Sequence, residues 1–193
     1  NVGNRHPAIL ANSVATMQQI SGGRFVLGLG AGASPNSPFA AEQIAIGVSP
    51  PSKMSERHAV LINALDVMNK MWAPNRRVEL EKFPLPKPIP QIIIGVNSVA
   101  LARIAGARAN GVNIRASHER AGEILAAAQD AHTSSGINKP FIVSVWEHYD
   151  DALVRGDDTR LDVWRSWGVD RAILLMFKSV DFAAIDRAAK YLE

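Results

Sequence analysis

The chain of 193 residues contains no cysteine, so disulfide bonds, thiol nucleophiles and cysteine-ligated metals are excluded. It also contains no apolar run of membrane-crossing length and no secretory leader pattern, which predicts a soluble, cytoplasmic protein without a membrane partner. Its formal net charge is only +3, and its lysines and arginines are spread along the sequence. Because a protein that binds nucleic acid needs a basic surface, we expect no nucleic-acid partner.

The motifs of several common enzyme classes are missing as well. There is no Ser-His-Asp order, no HExxH helix and no Walker-type loop, which removes the main support for hydrolysis and phosphoryl transfer. The five histidines show no metal-ligand spacing, so no metal site is predicted: His6, His58, His118, His132 and His148. Two of them are candidate acid-base catalysts, because His6 lies at a strand outlet and His148 lies just past a strand beside Glu147.

What the chain does contain is a regular alternation of strand-like and helix-like segments. Apolar runs predict strands at 24–30, 91–95, 110–114, 140–146 and 170–176. Helical patterns occupy 7–20, 53–72, 98–107, 118–135, 157–167 and 180–192. This alternation predicts βαβ units and a parallel sheet within one α/β domain covering residues 1–193. A proline-rich excursion at 74–90 interrupts the pattern.

Glycines dominate the segment 21–34, which reads SGGRFVLGLGAGAS. The pair at 22–23 ends a helix, and a short apolar strand follows. Gly30 and Gly32 then allow positive φ angles and the close approach of another molecule to the backbone. Taken alone, the pattern is compatible with a structural turn after a core strand, or with a surface on which a planar or anionic ligand lies.

A helix with Pro7 in its first turn precedes this segment. Apolar residues at near-helical spacing predict its buried face: Ile9, Leu10, Val14, Met17 and Ile20. Together, the helix and the glycine-rich segment resemble the luciferase-like family of flavin- and deazaflavin-dependent oxidoreductases. The positions that match at fixed spacing are Arg5, Pro7, Ala11, Thr16, Met17, Ser21, Gly23, Arg24, Leu27, Gly28, Gly30 and Gly32. Further matches lie at 42–47, 57–72, 88–95 and 167–170.

The resemblance implies a (β/α)8 TIM barrel, in which ligands bind at the carboxyl ends of the strands. The sequence supplies five of the eight strands, and the family's N-terminal strands have no counterpart. We therefore expect a partial barrel that is truncated, incompletely represented or naturally reduced. Its site would be lined by 30–34, 95–98, 113–116, 147–149 and 176–179. Because such a sheet has unpaired edges, residues 1–193 are predicted to be an incomplete folding unit.

The resemblance also implies a cofactor, since the chain is most similar to the methylene-tetrahydromethanopterin reductase-like branch. That cofactor is the deazaflavin coenzyme F420, with FMN as the alternative, and it would carry a hydride to or from a small organic substrate. The residues assigned to it are Gly3, Asn4, Gly30, Ala31, Gly32, Gly95, Val96, Asn97 and Ser98. The last four precede a helix, whose free N–H groups suit a phosphate, although an ordinary N-cap is the alternative interpretation.

Departures from the family pattern concern the substrate pocket. Ala33 and Ser34 stand where relatives are often aromatic or acidic, and Asn63 stands where many have Glu. Two alternatives to an enzyme therefore stay open: a non-catalytic flavin-binding remnant of the same fold, and an unrelated α/β domain whose glycine-rich turns are structural. We also expect identical chains to associate into a homo-oligomer.

Overall fold

The computed structural model of the protein describes residues 1–177 and 179–191. The helices are α1 (Pro7–Ile20), α2 (Ala41–Ala45), α3 (Met54–Trp72), α4 (Val99–Arg108), α5 (Ala121–Ser134), α6 (Asp151–Arg155), α7 (Arg160–Ser166) and α8 (Phe182–Ala189). The strands are β1 (Val26–Leu29), β2 (Gln91–Gly95), β3 (Gly111–Arg115), β4 (Ile142–His148) and β5 (Arg171–Leu175). Single-turn 3-10 helices lie at Val2–Asn4, Pro38–Ala40 and Val78–Leu80. The chain divides into two units, Asn1–Gly95 and Val96–Glu193. No helix within the described ranges is long and apolar enough to cross a membrane.

Helix α1 begins where the sequence predicts, but it buries a different face. His6 caps it, because His6 Nδ1 accepts a hydrogen bond from the Ala8 N–H at 3.3 Å, and Pro7 follows in the first turn. The buried residues are Ala11, Val14, Ala15 and Gln18. By contrast, Ile9, Met17 and Ile20 are 60%, 44% and 74% exposed. The predicted face is therefore wrong for Ile9, Met17 and Ile20 and confirmed for Val14. Small residues let α1 pack closely on α3, and the larger side chains stay outside.

Gln18 is the polar residue on the buried face of α1, and it is 1% exposed. Its Nε2 donates to the carbonyl oxygens of Pro88 at 2.7 Å and Gly23 at 3.2 Å. Its Oε1 accepts from the Phe25 N–H at 3.0 Å. One amide therefore ties the end of α1 to the backbone entering β1 and to the backbone entering β2.

Strands β1 and β2 pair in parallel, with Leu29 opposite Ile94. Along β1 the side chains of Leu27 and Leu29 are buried, and the positions between them are exposed. Period-two alternation of this kind turns one face of the strand to the core. The outward face carries Gly28, so part of the β1 backbone is left uncovered by any side chain of its own.

Strands β3, β4 and β5 of the second unit are also parallel, with Asn113 opposite Ser144 and Ser144 opposite Arg171. One face of these strands forms the core, where Val112, Ile114, Val143 and Val145 are at most 2% exposed. The other face carries a polar pair: Asn113 Nδ2 donates to Ser144 Oγ at 2.9 Å, and that hydroxyl donates to the Val112 carbonyl oxygen at 2.8 Å. The pair satisfies polar groups that would otherwise be costly to bury.

Helices α4 and α5 cross at Gly106. A Cβ at this position would overlap the Ala128 carbonyl oxygen and would lie 2.9 Å from the Ala131 Cβ. Glycine is needed here for close approach, because the local backbone is helical and poses no conformational requirement of its own. This crossing sets the distance between the two helices that cover β3.

The five predicted strands are all present, but short helices escaped the sequence analysis. Helices α2 and α6 have five residues each, too few for a helical period to be recognised. The predicted excursion at 74–90 is braced by Arg76, which donates to the carbonyl oxygens of Met71 at 2.9 Å and Phe83 at 2.7 Å. Predictions at positions 178 and 192 lie outside the described residues.

We expect Gln18→Met to destabilise the protein by about 1–3 kcal/mol, because it leaves the Phe25 N–H and the carbonyl oxygens of Gly23 and Pro88 without their side-chain partner. The measurement is the free energy of unfolding in urea. Gln19→Met is the matched control, since Gln19 is exposed on the same helix, and it should change stability by less than about 0.5 kcal/mol. Equal effects of the two substitutions would contradict the assigned role of Gln18.

Candidate functional site

The N-terminal segment and the end of β1 lie side by side in the first unit. The Val2 N–H donates to the Gly30 carbonyl oxygen at 3.1 Å. Val2 itself is 2% exposed and anchors this segment in the core. The residues 1–4 and 30–32, which we call the N-terminal cradle, therefore bring together five of the residues that the resemblance assigned to the cofactor.

Glycines of the cradle are required for two different reasons. Gly32 has φ +89°, and a Cβ there would lie 3.0 Å from Asn1 Oδ1, an atom that accepts a hydrogen bond from the Gly3 N–H at 2.9 Å. Gly30 does not adopt a positive φ. A Cβ at Gly30 or at Gly28 would meet nothing within 4 Å. The backbone here faces open space that a flat ligand could occupy.

Asn4 adds an unsatisfied polar atom to the cradle. Its Oδ1 is buried and has no hydrogen-bond partner. An unpaired buried acceptor is unusual in a folded protein and calls for a donor. A planar heterocycle with N–H and C=O groups could use both the open space beside the Gly30 backbone and the unpaired Asn4 acceptor, so the residues present fit a flavin or deazaflavin ring.

The turn before α4 has the features of an anion site. Ser98 is the N-cap, and its Oγ accepts from the Leu101 N–H at 3.4 Å, which confirms the predicted cap. Val96 is buried and its N–H donates to the Asn113 carbonyl oxygen at 2.9 Å, whereas Asn97 is exposed. The first-turn N–H groups of α4 that lack helical partners suit a phosphate oxygen.

Gly95 ends β2 in the first unit and is exposed. A Cβ at this position would lie 3.7 Å from the Leu29 carbonyl oxygen, which is an ordinary contact distance. Glycine is therefore not required here by the neighbouring strand. Its assignment to cofactor binding stays a prediction.

The two candidate acid-base histidines stand in different surroundings. His6 uses Nδ1 to cap α1, as described above, so that nitrogen is engaged. His148 is the last residue of β4 and is exposed. Its ring lies 4.8 Å from the ring of Phe177, measured between centroids, with no hydrogen bond to hold either nitrogen among the described contacts. His148 is the better placed of the two to exchange a proton with a ligand.

An aromatic cluster surrounds His148 at the carboxyl ends of β3, β4 and β5. The Arg115 guanidinium lies over the Trp146 ring, 5.4 Å from its centroid. The Trp146 and Phe177 rings are 6.1 Å apart. The cluster, Arg115, Trp146, His148 and Phe177, offers flat apolar surface and one positive charge. Arg115, His148 and Phe177 lie in predicted strand ends, but the sequence predicts a role only for His148. Trp146 lies within a predicted strand, and no motif distinguishes it.

A cavity of about 540 Å³ opens beside this cluster. Its lining includes His148, Tyr149, Asp151, Phe177, Asp181 and Arg187. The Tyr149 hydroxyl lies 2.9 Å from Asp151 Oδ1, to which it donates. Burial, and then this bond to a carboxylate, raise the pKa of Tyr149. The phenol therefore stays protonated near neutral pH, and the lining of the cavity combines charged side chains with the Phe177 ring.

Glu147 is the buried carboxylate behind His148, and it is 5% exposed. Burial alone would raise its pKa, but the His148 N–H at 2.9 Å and the Ser117 hydroxyl both donate to it, and Arg115 is nearby. These interactions outweigh burial, so the pKa of Glu147 lies below its usual value. Glu147 thus holds the loop after β3 to the end of β4.

Across the described residues, no group of three histidine, aspartate or glutamate side chains could hold a metal ion.

Two solved structures share the fold of this chain at low sequence identity. One is an F420-dependent secondary alcohol dehydrogenase in complex with an F420-acetone adduct, with a TM-score of 0.58 at 18% identity. The alignment covers 95% of this chain and 58% of the dehydrogenase chain. The other is apo-MsnO8, with a TM-score of 0.67 at 12% identity. That alignment covers 99% of this chain and 74% of the MsnO8 chain. The predicted fold class, α/β of the TIM-barrel type with strands missing, is confirmed.

The sequence profile of the luciferase-like monooxygenase family matches residues 1–140, and the chain belongs to this family. An F420-dependent glucose-6-phosphate dehydrogenase from Nakamurella multipartita is 31% identical over 116 residues, which are 55% of this chain and 32% of the relative. The chain therefore spans about a third of the length of that curated relative.

We expect Glu147→Gln to lower the free energy of unfolding by about 1–2 kcal/mol at pH 7, because charged hydrogen bonds become neutral ones. The pKa of Glu147 is lower in the folded protein than in the unfolded chain, where it is near 4.5. The carboxylate therefore stabilises the fold at pH values above 4.5, and this stabilisation is lost as the pH falls through the folded-state pKa. The gap between wild type and variant should accordingly shrink below about pH 4.5. Urea unfolding at several pH values measures this difference in the free energy of unfolding. Glu119→Gln is the control, because Glu119 is exposed. A gap independent of pH would contradict the assignment.

Proposed function

We propose that the chain is part of an oxidoreductase that uses the deazaflavin F420, or alternatively FMN, to transfer a hydride to or from a small organic substrate. Membership of the luciferase-like family supports the reaction class. The name of its relative from Nakamurella supports F420. The observation that carries the proposal is the N-terminal cradle, which combines open space beside the Gly30 backbone with the unpaired Asn4 Oδ1.

The cradle residues would bind and orient the cofactor ring. A Cβ at Gly30 would fill the open space, so the glycine admits the ring to the backbone. Asn4 Oδ1 would accept a hydrogen bond from a donor on the ligand. When bound, the cofactor supplies an electron-accepting ring that the side chains themselves lack.

The turn before α4 would hold the cofactor phosphate. Val96, Asn97 and Ser98 present the helix N-terminus, where the backbone partial charge is positive. We assign Gly95 to the same task, since its exposed backbone adds no side chain to the approach.

His148 would handle the proton of the substrate. Oxidation of an alcohol sends a hydride from carbon to the cofactor and a proton from the hydroxyl to a base, and an exposed imidazole suits the second task near neutral pH. His6 is the second candidate, with Nε2 as its free nitrogen. The small-molecule substrate and the association of identical chains remain predictions.

We expect the protein to bind F420 and FMN saturably, with F420 bound more tightly. Titration followed by cofactor fluorescence gives both dissociation constants. Gly30→Val is the matched variant. Its side chain would occupy the open space, so it should raise both dissociation constants tenfold or more, which corresponds to roughly 1.4 kcal/mol. Absence of binding to either cofactor would remove the proposal. Saturable binding without any redox turnover of alcohols or aldehydes would favour the non-catalytic remnant.

We expect Ser98→Asp to weaken F420 binding by about 1–3 kcal/mol, since a carboxylate at the helix start repels a phosphate. The fold should persist because Asp is also an N-cap residue. Ser98→Asn is the control, as it keeps a capping oxygen without the charge. The same titration compares the three proteins. Unchanged affinity in Ser98→Asp would make the turn purely structural.

A further inference from the structure

Gln43 is a buried side chain whose hydrogen bonding is incomplete. It lies on α2 and is 4% exposed, yet its Oε1 is buried and has no partner. Leaving a buried carbonyl oxygen unpaired costs free energy that an apolar side chain of similar volume would avoid. The residue type at this position is therefore not explained by packing.

The surroundings of Gln43 invert the usual distribution of polarity. Phe39, Ile44 and Ile46 of the same short segment are 85%, 54% and 62% exposed, while the amide is turned inward. A surface segment chosen for stability alone would bury an aliphatic side chain and expose the amide. The inversion points to a task for the amide on the inner side of the segment.

That inner side is the N-terminal cradle. A Cβ at Gly3 would lie 3.3 Å from Gln43 Nε2, so the amide packs against the Gly3 backbone. The next residue, Asn4, carries the other unpaired buried oxygen of this region. Both free atoms are neutral amide acceptors. Neutral acceptors select a neutral N–H or O–H donor over a metal ion, which prefers carboxylates and imidazoles.

We propose that Gln43 is a cofactor-binding residue, whose Oε1 accepts a hydrogen bond from the imide-type N–H of the cofactor ring. The inference rests on the proposed function, because it takes the ring to lie in the cradle. F420 and FMN share this ring edge, in which one N–H stands between two carbonyl groups. Gln43 accordingly reads a feature common to both cofactors and sets affinity for the ring without choosing between them.

The test compares wild type with Gln43→Leu, using FMN and FMN methylated at the imide nitrogen as probes. We expect Gln43→Leu to weaken FMN binding about fivefold to tenfold. Methylation should weaken binding to wild type by a similar factor and leave Gln43→Leu almost unaffected, since the variant has no acceptor to lose. The melting temperature of the variant should be equal or higher, because an unpaired buried carbonyl is gone. Gln19→Leu, exposed on α1, is the control and should change neither property.

Each result decides the matter. Equal FMN affinity of wild type and Gln43→Leu overturns the inference while the proposed function stands. A lower melting temperature with unchanged affinity also overturns it, and assigns the amide to an internal water. Binding of neither FMN nor F420 by wild type overturns the inference together with the proposed function. If Gln43→Leu fails to fold, Gln43→Met replaces it with the same expected factors.

Discussion

The side-chain amide of Gln18 is the interaction on which the first unit depends. It makes three hydrogen bonds to backbone groups, one at the end of the α1 turn, one at the start of β1 and one ahead of β2. Because Pro88 lies 70 residues from Gln18 in sequence, local propensity cannot bring them together. A fully satisfied buried amide does so at little net cost, and it fixes where β1 starts. The position of β1 in turn determines where Gly30 and Gly32 emerge.

The carboxyl end of β1 is rich in glycine, so its backbone is not covered by side chains of its own. At Gly28 and Gly30 the space beside the backbone is open, whereas Gly32 is needed for its positive φ and for the Asn1 amide beside it. The same residue type thus answers two constraints within five positions of the chain. The strand ends of the second unit differ, since they carry large flat side chains that contact one another: Arg115 lies over the Trp146 ring, and Phe177 lies beside it. The first arrangement is the one for which we proposed ring binding.

Much of the fold could be predicted from the sequence, because strands bounded by glycine and proline leave strong local signals. Strand β2 at 91–95 coincides with its prediction, and the Ser98 cap follows from a polar residue before a helix. The buried face of α1 could not be predicted, since hydrophobicity favours Ile9 and Ile20, while close packing on α3 favours alanine. The site was only partly predictable. Trp146 and Gln43 carry no motif, and their importance depends on contacts made across the fold.

Gln18 and Gln43 show why burial alone does not reveal the role of a polar residue. Both belong to the first unit and both are at least 96% buried, as their exposures of 1% and 4% indicate. Gln18 has a protein partner for each of its amide atoms, so its bonds are complete within the fold and it acts on stability. Gln43 Oε1 has none, and an unpaired buried oxygen calls for an explanation other than packing. The number of hydrogen bonds that each amide makes within the fold, and not its burial, is therefore what separates the structural role of Gln18 from the ligand-binding role that we proposed for Gln43.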